Sequence, residues 1–164
     1  MNYYIRSVQK NDLNAIITIE STCFPLKEAA SKEQLQERIF TFPKCFFVVE
    51  KNNQVIGFIN GCLTNESTIQ DVMFSNATLH NPSGQYQAIF GLDVLPQFQH
   101  QGIASALMRY LISHTQEKHR KGLILTCKEH LLSFYAQFGY ENKGISASTH
   151  GDAIWYDMIL LFSN

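Results

Sequence analysis

The stretch Gln87–Leu111, QAIFGLDVLPQFQHQGIASALMRYL, constrains this chain more than any other. Ala88-Ile89-Phe90-Gly91-Leu92-Asp93-Val94 is a short apolar run and reads as a buried strand. Pro96 closes it, because proline has no N–H to donate to a ladder. Beyond it, Ile103, Leu107, Tyr110 and Leu111 recur at helical spacing and predict an amphipathic helix. A strand, a tight turn and a helix in that order make an anion site. The first turn of the helix has free N–H groups, and its dipole favours negative charge. Gly102 has no Cβ, so an anion can approach its backbone, and Ala104 and Ser105 keep the next turn small. By itself the turn also fits an ordinary strand-to-helix connection.

The rest of the chain supplies a sheet around this unit. Tyr3–Val8 reads as a first strand. Asn11 or Asp12 can cap a helix carrying Leu13, Ile16, Ile17 and Ile19, which fades near Cys23-Phe24-Pro25. Ser31 opens a second helix through Leu35 and Ile39, ending before Pro43. Phe46–Glu50, the Asn52-Asn53 turn and Gln54–Cys62 read as an antiparallel hairpin, with Gly57 and Gly61 marking a bulge or a close helix contact. Residues 64–85 have little periodicity; Asp71–Phe74 suggests one helical turn and His80–Gly84 a loop. A connection of that length is often part of a binding wall. Gly122–Cys127 is another buried strand, Glu129–Phe138 a short helix capped by Gly139, and two strands follow near Tyr140–Ser146 and Ala153–Leu161. This order predicts an α/β fold, a mixed sheet with helices on its faces, in a single domain over residues 1–164.

The 164 residues carry a formal net charge of −1 with no block of like charge, which argues against a nucleic-acid binder. The segment MNYYIRSVQKND has no apolar signal region, and no run approaches a membrane span, so a cytoplasmic chain without membrane contact is expected. Cys23, Cys45, Cys62 and Cys127 are scattered with no C-x-x-C pair. Free buried thiols are expected, and no metal ligand set is read. The sequence leaves monomer and homodimer both open.

Gln99-x-x-Gly102-x-Ala104, placed after a strand ending in Leu92-x-Val94-x-Pro96, resembles the Q/R-x-x-G-x-G/A signature of the GCN5-related (GNAT) N-acetyltransferases. The resemblance implies that the Gln99, His100, Gln101, Gly102, Ile103, Ala104, Ser105 turn holds the pyrophosphate of acetyl-CoA. It implies that Leu92, Asp93 and Val94 hold the pantetheine arm. The later block Phe134-Tyr135-Ala136-Gln137-Phe138-Gly139-Tyr140 resembles the family's F-Y-x-x-x-G-F/Y segment. With the L-x-C-x-x-x-L before it, it is most similar to the arylalkylamine (serotonin) N-acetyltransferase branch. That resemblance gives Tyr135 the role of general acid to the departing thiolate. From spacing alone Tyr135 could be a packing residue, with Phe134 and Phe138 facing the core.

One departure concerns the acceptor. Where the arylalkylamine enzymes carry two histidines on the central strand, this chain has Ala88 and Phe90, neither of which accepts a proton. Phe90 then suggests an apolar acceptor wall or ordinary core. Asp71, His80 and His150 are alternative proton acceptors, each of which could equally be a surface polar residue, and water could carry the proton instead. The implied activity is acetyl transfer to a primary amine by direct attack, with a backbone N–H of Leu92–Val94 polarising the carbonyl. A dinucleotide oxidoreductase is disfavoured by the missing G-x-G-x-x-G. A non-catalytic CoA-binding module of the same fold, or an enzyme for protein amino groups, remains open.

Overall fold

The computed structural model describes residues 2–163; Met1 and Asn164, the ends of the expected 1–164 domain, lie outside the described residues. Nine strands and five α-helices follow in chain order among them. These are β1 (Tyr3–Ser7), α1 (Leu13–Cys23), α2 (Lys32–Thr41), β2 (Phe46–Lys51), β3 (Gln54–Asn60), β4 (Leu63–Thr64) and α3 (Asp71–Ser75). Then come β5 (Tyr86–Ala88), β6 (Gly91–Val94), α4 (Ile103–Glu117), β7 (Gly122–Cys127), α5 (Leu132–Ala136), β8 (Glu141–Ile145) and β9 (Tyr156–Leu161).

Local chemistry sets most of these boundaries. Ser31 caps α2 by accepting from Gln34 N at 3.1 Å, and the Gln34 amide accepts from Ser31 N at 2.9 Å, a reciprocal capping box. Asn52 and Asn53 both take positive φ, which is the geometry of a two-residue hairpin turn. The expected Asp12 cap of α1 is not made. Its carboxylate instead accepts from Gln9 N at 2.8 Å and pairs with Arg6 at 2.8 Å. Arg6 binds more strongly than a single backbone N–H, so the side chain turns back to β1. In α4 the buried stripe is Ile103, Leu107, Met108 and Leu111; Tyr110 is 40% exposed and lies edge-on to Phe47 at 4.9 Å.

The sheet is divided into two. One half has the order β1-β2-β3-β6, and the other β4-β5-β7-β9-β8. The strand expected over Ala88–Val94 is therefore interrupted. Ile89 N–H donates to Ile124 O on β7 at 3.0 Å, and the next N–H, of Phe90, donates to Asn60 O on β3 at 2.7 Å. β5 runs parallel to β7, the predicted βαβ unit through α4, whereas β6 runs antiparallel to β3. A strand missed from the sequence, β4, pairs with β5 and makes the same crossing from the other chain pass.

The two passes touch at Gly61. A Cβ there would collide with the Ala88 carbonyl, so this is a strand-to-strand approach rather than a helix contact. The Gln87 amide, fully buried, donates to Gly61 O at 2.9 Å and Ala88 O at 2.7 Å across the same junction. Two apolar clusters fill the interior. The larger joins α1, α2 and α4 to the first half and reaches β7 and β9 of the second; the smaller holds Phe42, Cys45, Cys62, Leu63, Ile69 and Met73 under β4 and β5. Gly61→Ala should destabilise the chain by about 1–3 kcal/mol, as overpacking does. The urea midpoint measures it; an unchanged midpoint would mean the two passes can part freely.

Candidate functional site

Beyond the crossing, β6 has no strand neighbour on its outer side among the described residues. β7 pairs with β5 only as far as Ile124. The facing edges, Leu92–Val94 and Leu125–Cys127, line one cleft of about 670 Å³. Unpaired strand edges present backbone N–H and C=O groups to any extended ligand between them.

One end of the cleft is the turn before α4. Among the turn residues named from the sequence, Gln99, His100, Gly102, Ile103, Ala104 and Ser105 line it. Gln101 does not; its amide bonds Gln97 O at 3.3 Å on the outside. Gly102 caps the helix at φ +83°, and a Cβ there would meet no atom within 4 Å. His100 also has positive φ. The first helical bond is Ala106 N to Gly102 O at 3.0 Å, so the N–H groups just before it point out of the 15-residue helix unpaired. No acidic residue sits in that first turn. The result is an electropositive backbone cradle. The Gln99 amide donates to Val94 O at 2.9 Å, so this side chain ties the turn to the end of β6.

Tyr135 lies in the cleft wall and is 8% exposed. Burial, and then the neighbouring Cys127 and Asp93, hold its phenol well above the ordinary tyrosine range. It is the buried aromatic of α5. Phe134 and Phe138, expected to face the core, are half-buried and pack edge-to-face at 5.3 Å. The helix is only Leu132–Ala136, and Tyr135 is the position it turns inward.

The other end of the cleft is aromatic. Phe90 packs on Phe74 at 5.0 Å, and the Arg38 guanidinium lies over its ring at 4.9 Å. His150 stacks on Phe74 at 5.2 Å, and Trp155 completes the wall. His150 Nε2 is 2.9 Å from Glu28 O; a carbonyl only accepts, so Nε2 carries the hydrogen. Two expected proton acceptors are elsewhere. The Asp71 carboxylate accepts from Ser148 Oγ and from Thr149 N, pinning the loop between β8 and β9. His80 Nδ1 accepts from Leu63 N at 3.1 Å beside Phe42 and is structural. Neither Asp71 nor His80 lines the cleft; of the 64–85 connection, Phe74 does.

Three buried charged residues in the wall escape sequence reasoning: Glu20 on α1, Arg38 on α2 and the side chain of Asp93 on β6. Their signal is there all the same. Glu20 falls in register with Ile16, Arg38 follows Leu35 by three, and Asp93 interrupts an apolar run. Burial, then the charge and close approach of Glu20, hold the Asp93 carboxyl well above the usual carboxylate range, with Cys23 adding to the effect and Arg38 opposing it. Burial likewise depresses Arg38, against the pull of Glu20 and Asp93. Among the described residues, no group of three or more His, Cys, Asp or Glu is placed to hold a metal ion. Nor is any helix among them long and apolar enough to cross a membrane.

The acetyltransferase (GNAT) family matches residues 13–140. The chain belongs to that family, and it is an N-acetyltransferase by that membership. It is 26% identical over 153 residues to serotonin N-acetyltransferase from Mesocricetus auratus, covering 93% of this chain and 70% of that one. Its fold matches the GphF GNAT-like decarboxylase in complex with isobutyryl-CoA, with a TM-score of 0.85 at 18% identity over 96% and 98% of the chains. It also matches the PaiA N-acetyltransferase from Thermoplasma acidophilum in complex with coenzyme A, with a TM-score of 0.74 at 16% identity over 99% and 100%.

The raised Asp93 carboxyl has a consequence for stability. The folded chain keeps a proton that the unfolded chain releases above about pH 4. Stability therefore falls as pH rises from there through the folded-state value. Asp93→Asn removes this drain and keeps a donor for Glu20. Its melting temperature should exceed wild type at pH 8 and converge on it at pH 4. Scanning calorimetry at both pH values checks this; a variant less stable at pH 8 would contradict it.

Proposed function

We propose that this chain is an acetyl-CoA-dependent N-acetyltransferase for a small primary amine with an apolar or aromatic tail. The carrying observation is the single cleft running from the α4 cradle, between the free edges of β6 and β7, past Tyr135 to the aromatic end. The donor fits the residues present. The open, positive-φ Gly102 and the unpaired first-turn N–H groups suit a pyrophosphate, and the β6 edge suits the amides of a pantetheine arm. The donor supplies the acetyl thioester; the chain holds and orients it. The whole of residues 1–164 forms one domain on this reading, and its four unpaired cysteines suit a reducing, cytoplasmic setting.

The neutral acceptor nitrogen attacks the thioester carbonyl directly. A backbone N–H of the β6 edge steadies the developing oxyanion. Tyr135 gives the proton to sulfur. Burial keeps its phenol protonated throughout the neutral range, and makes it a reluctant acid. Its contribution therefore lies at the low end for general acids. Phe90, Phe74 and Trp155 set the preference for an aromatic tail, which accords with the similarity to a serotonin-acetylating enzyme.

Tyr135→Phe keeps the ring and should lower kcat by roughly tenfold to a few hundredfold. Acetyl-CoA affinity should hardly change, and the neutral-range pH profile should keep its shape because the phenol ionises above it. Wild-type kcat, with chemistry rate-limiting, would make Tyr135 a packing residue. Gly102→Val should weaken acetyl-CoA binding by calorimetry, while backbone strain costs only about 1–2 kcal/mol of stability. Unchanged affinity in the folded variant would remove the pyrophosphate assignment. Across an amine panel, phenylethylamine and tryptamine should exceed spermidine in kcat/KM; the reverse order would reject the aromatic acceptor. Thermal stabilisation by acetyl-CoA with no turnover of any amine would point to a binding module.

A further inference from the structure

The cleft contains one cluster that neither donor binding nor aromatic packing employs. Asp93 is 1% exposed, and neither of its carboxyl oxygens accepts a hydrogen bond. Gly91, two residues earlier on β6, leaves a niche in the cleft wall where a side chain would stand. Around the position of its missing Cβ lie Asp93 Oδ1 at 3.1 Å, Asn60 Nδ2 at 3.5 Å and Glu20 Oε1 at 3.7 Å. Asn60 Nδ2 and Arg38 Nε are also buried without partners. Glu20 is held in place because its Oε2 accepts from Ala30 N at 2.7 Å, which leaves Oε1 for the niche. Arg38 spends its hydrogen bonds on Phe74 O at 2.9 Å and Asn60 Oδ1 at 3.4 Å rather than on the two carboxyl groups.

A packing role does not explain this arrangement. Burying a carboxyl group with no donor costs free energy, and apolar side chains of similar size would fill the space better. The charges facing Asp93 are Glu20 and the Cys23 thiol from α1 and Arg38 from α2, with Tyr135 from α5 on the far side. The set lacks a cation at the niche itself. A ligand that brings positive charge and N–H donors supplies what is missing.

We propose that Asp93, backed by Glu20, binds the acceptor's ammonium and removes its proton. This rests on the cleft being the acetyl-transfer site. The free chain holds a proton on Asp93; the arriving ammonium displaces it to water, and the carboxylate so formed takes one N–H proton and leaves a neutral amine. The nitrogen lone pair forms the C–N bond to the acyl carbon, and the C–S bond breaks with its electron pair on sulfur. Tyr135 protonates the sulfur and regains a proton from the acylated nitrogen through solvent. Asp93 ends protonated as it began, so each turnover frees one proton, the one displaced when the ammonium binds. The proton acceptor thus comes from β6, three residues beyond Phe90, facing α1 and α2.

The test uses the full chain, acetyl-CoA and two amines at pH 7: phenylethylamine, which is cationic, and 2,2,2-trifluoroethylamine, which is largely neutral. Asp93→Asn should lower kcat/KM for phenylethylamine by about 10²–10⁴-fold. It should spare the neutral amine and leave acetyl-CoA affinity by calorimetry intact. An equal loss with both amines would make Asp93 a structural or donor-side residue and overturn the proposal. Undiminished phenylethylamine turnover in Asp93→Asn would overturn it too, while leaving the acetyltransferase reading standing. Absence of amine acetylation by wild type would overturn both. A measurement on wild type alone guards against a variant that fails to fold. Phenylethylamine should bind more than about tenfold tighter than 2-phenylethanol, as a charge-assisted hydrogen bond requires; equal affinity would reject the ammonium site.

Discussion

The structure depends on a transfer of backbone hydrogen bonds between two adjacent residues. Ile89 bonds to β7 and Phe90 bonds to β3, so one chain pass serves two half-sheets. A buried backbone group must find a partner, and here successive groups find them on opposite sides. The pass through Gly61 crosses alongside, and the Gln87 amide satisfies the carbonyls that the crossing would strand. Everything beyond the crossing is forced to diverge. The cleft is the space that divergence opens, and its walls are strand edges left with free N–H and C=O groups.

On the proposed reading, that geometry lets one small fold hold two different ligands end to end. The donor end is made almost wholly of backbone: a left-handed glycine, a helix terminus and a strand edge. Such a site tolerates many side chains, since its chemistry lies in N–H groups and a dipole. The acceptor end is made of side chains from several separate elements, so its chemistry can change by single substitutions. By the resemblance, Ala88 and Phe90 stand where the arylalkylamine branch has histidines, and the buried charged side chains of this cleft are Asp93, Glu20 and Arg38. Their burial costs stability. The cost is tolerated because Ala30 N, Phe74 O and Asn60 hold Glu20 and Arg38 in fixed positions around the one carboxyl left without donors.

Much of the fold and of the donor end is legible in the order of residues alone. The capping box at Ser31, the Asn52-Asn53 turn, the apolar stripe of α4 and the glycine before it are all local, and local rules read them correctly. Where those rules fail, the failures share a cause. They make Asp12 a helix cap, but Arg6 competes for it from β1. They leave Asp71 and His80 free to accept a proton, yet distant backbone N–H groups occupy both. They leave Tyr135 open between packing and chemistry, because a helix of five residues has no stripe long enough to fix its facing.

Neighbours along the chain are enough to set where most strands and helices lie, that Gly102 opens a helix terminus, and that the motifs are those of the acetyltransferases. Spacing, turn chemistry and single-residue stereochemistry decide these properties, and none of them needs a distant partner. Three others do need one: the division of the central strand at Phe90, the turning of Tyr135 into the cleft, and the meeting of Glu20, Arg38, Asn60 and Asp93 near Gly91. They depend on which remote group satisfies each buried backbone bond and charge. Residues from 20 to 93 along the chain become neighbours only once α1, α2 and β3 have packed against β6.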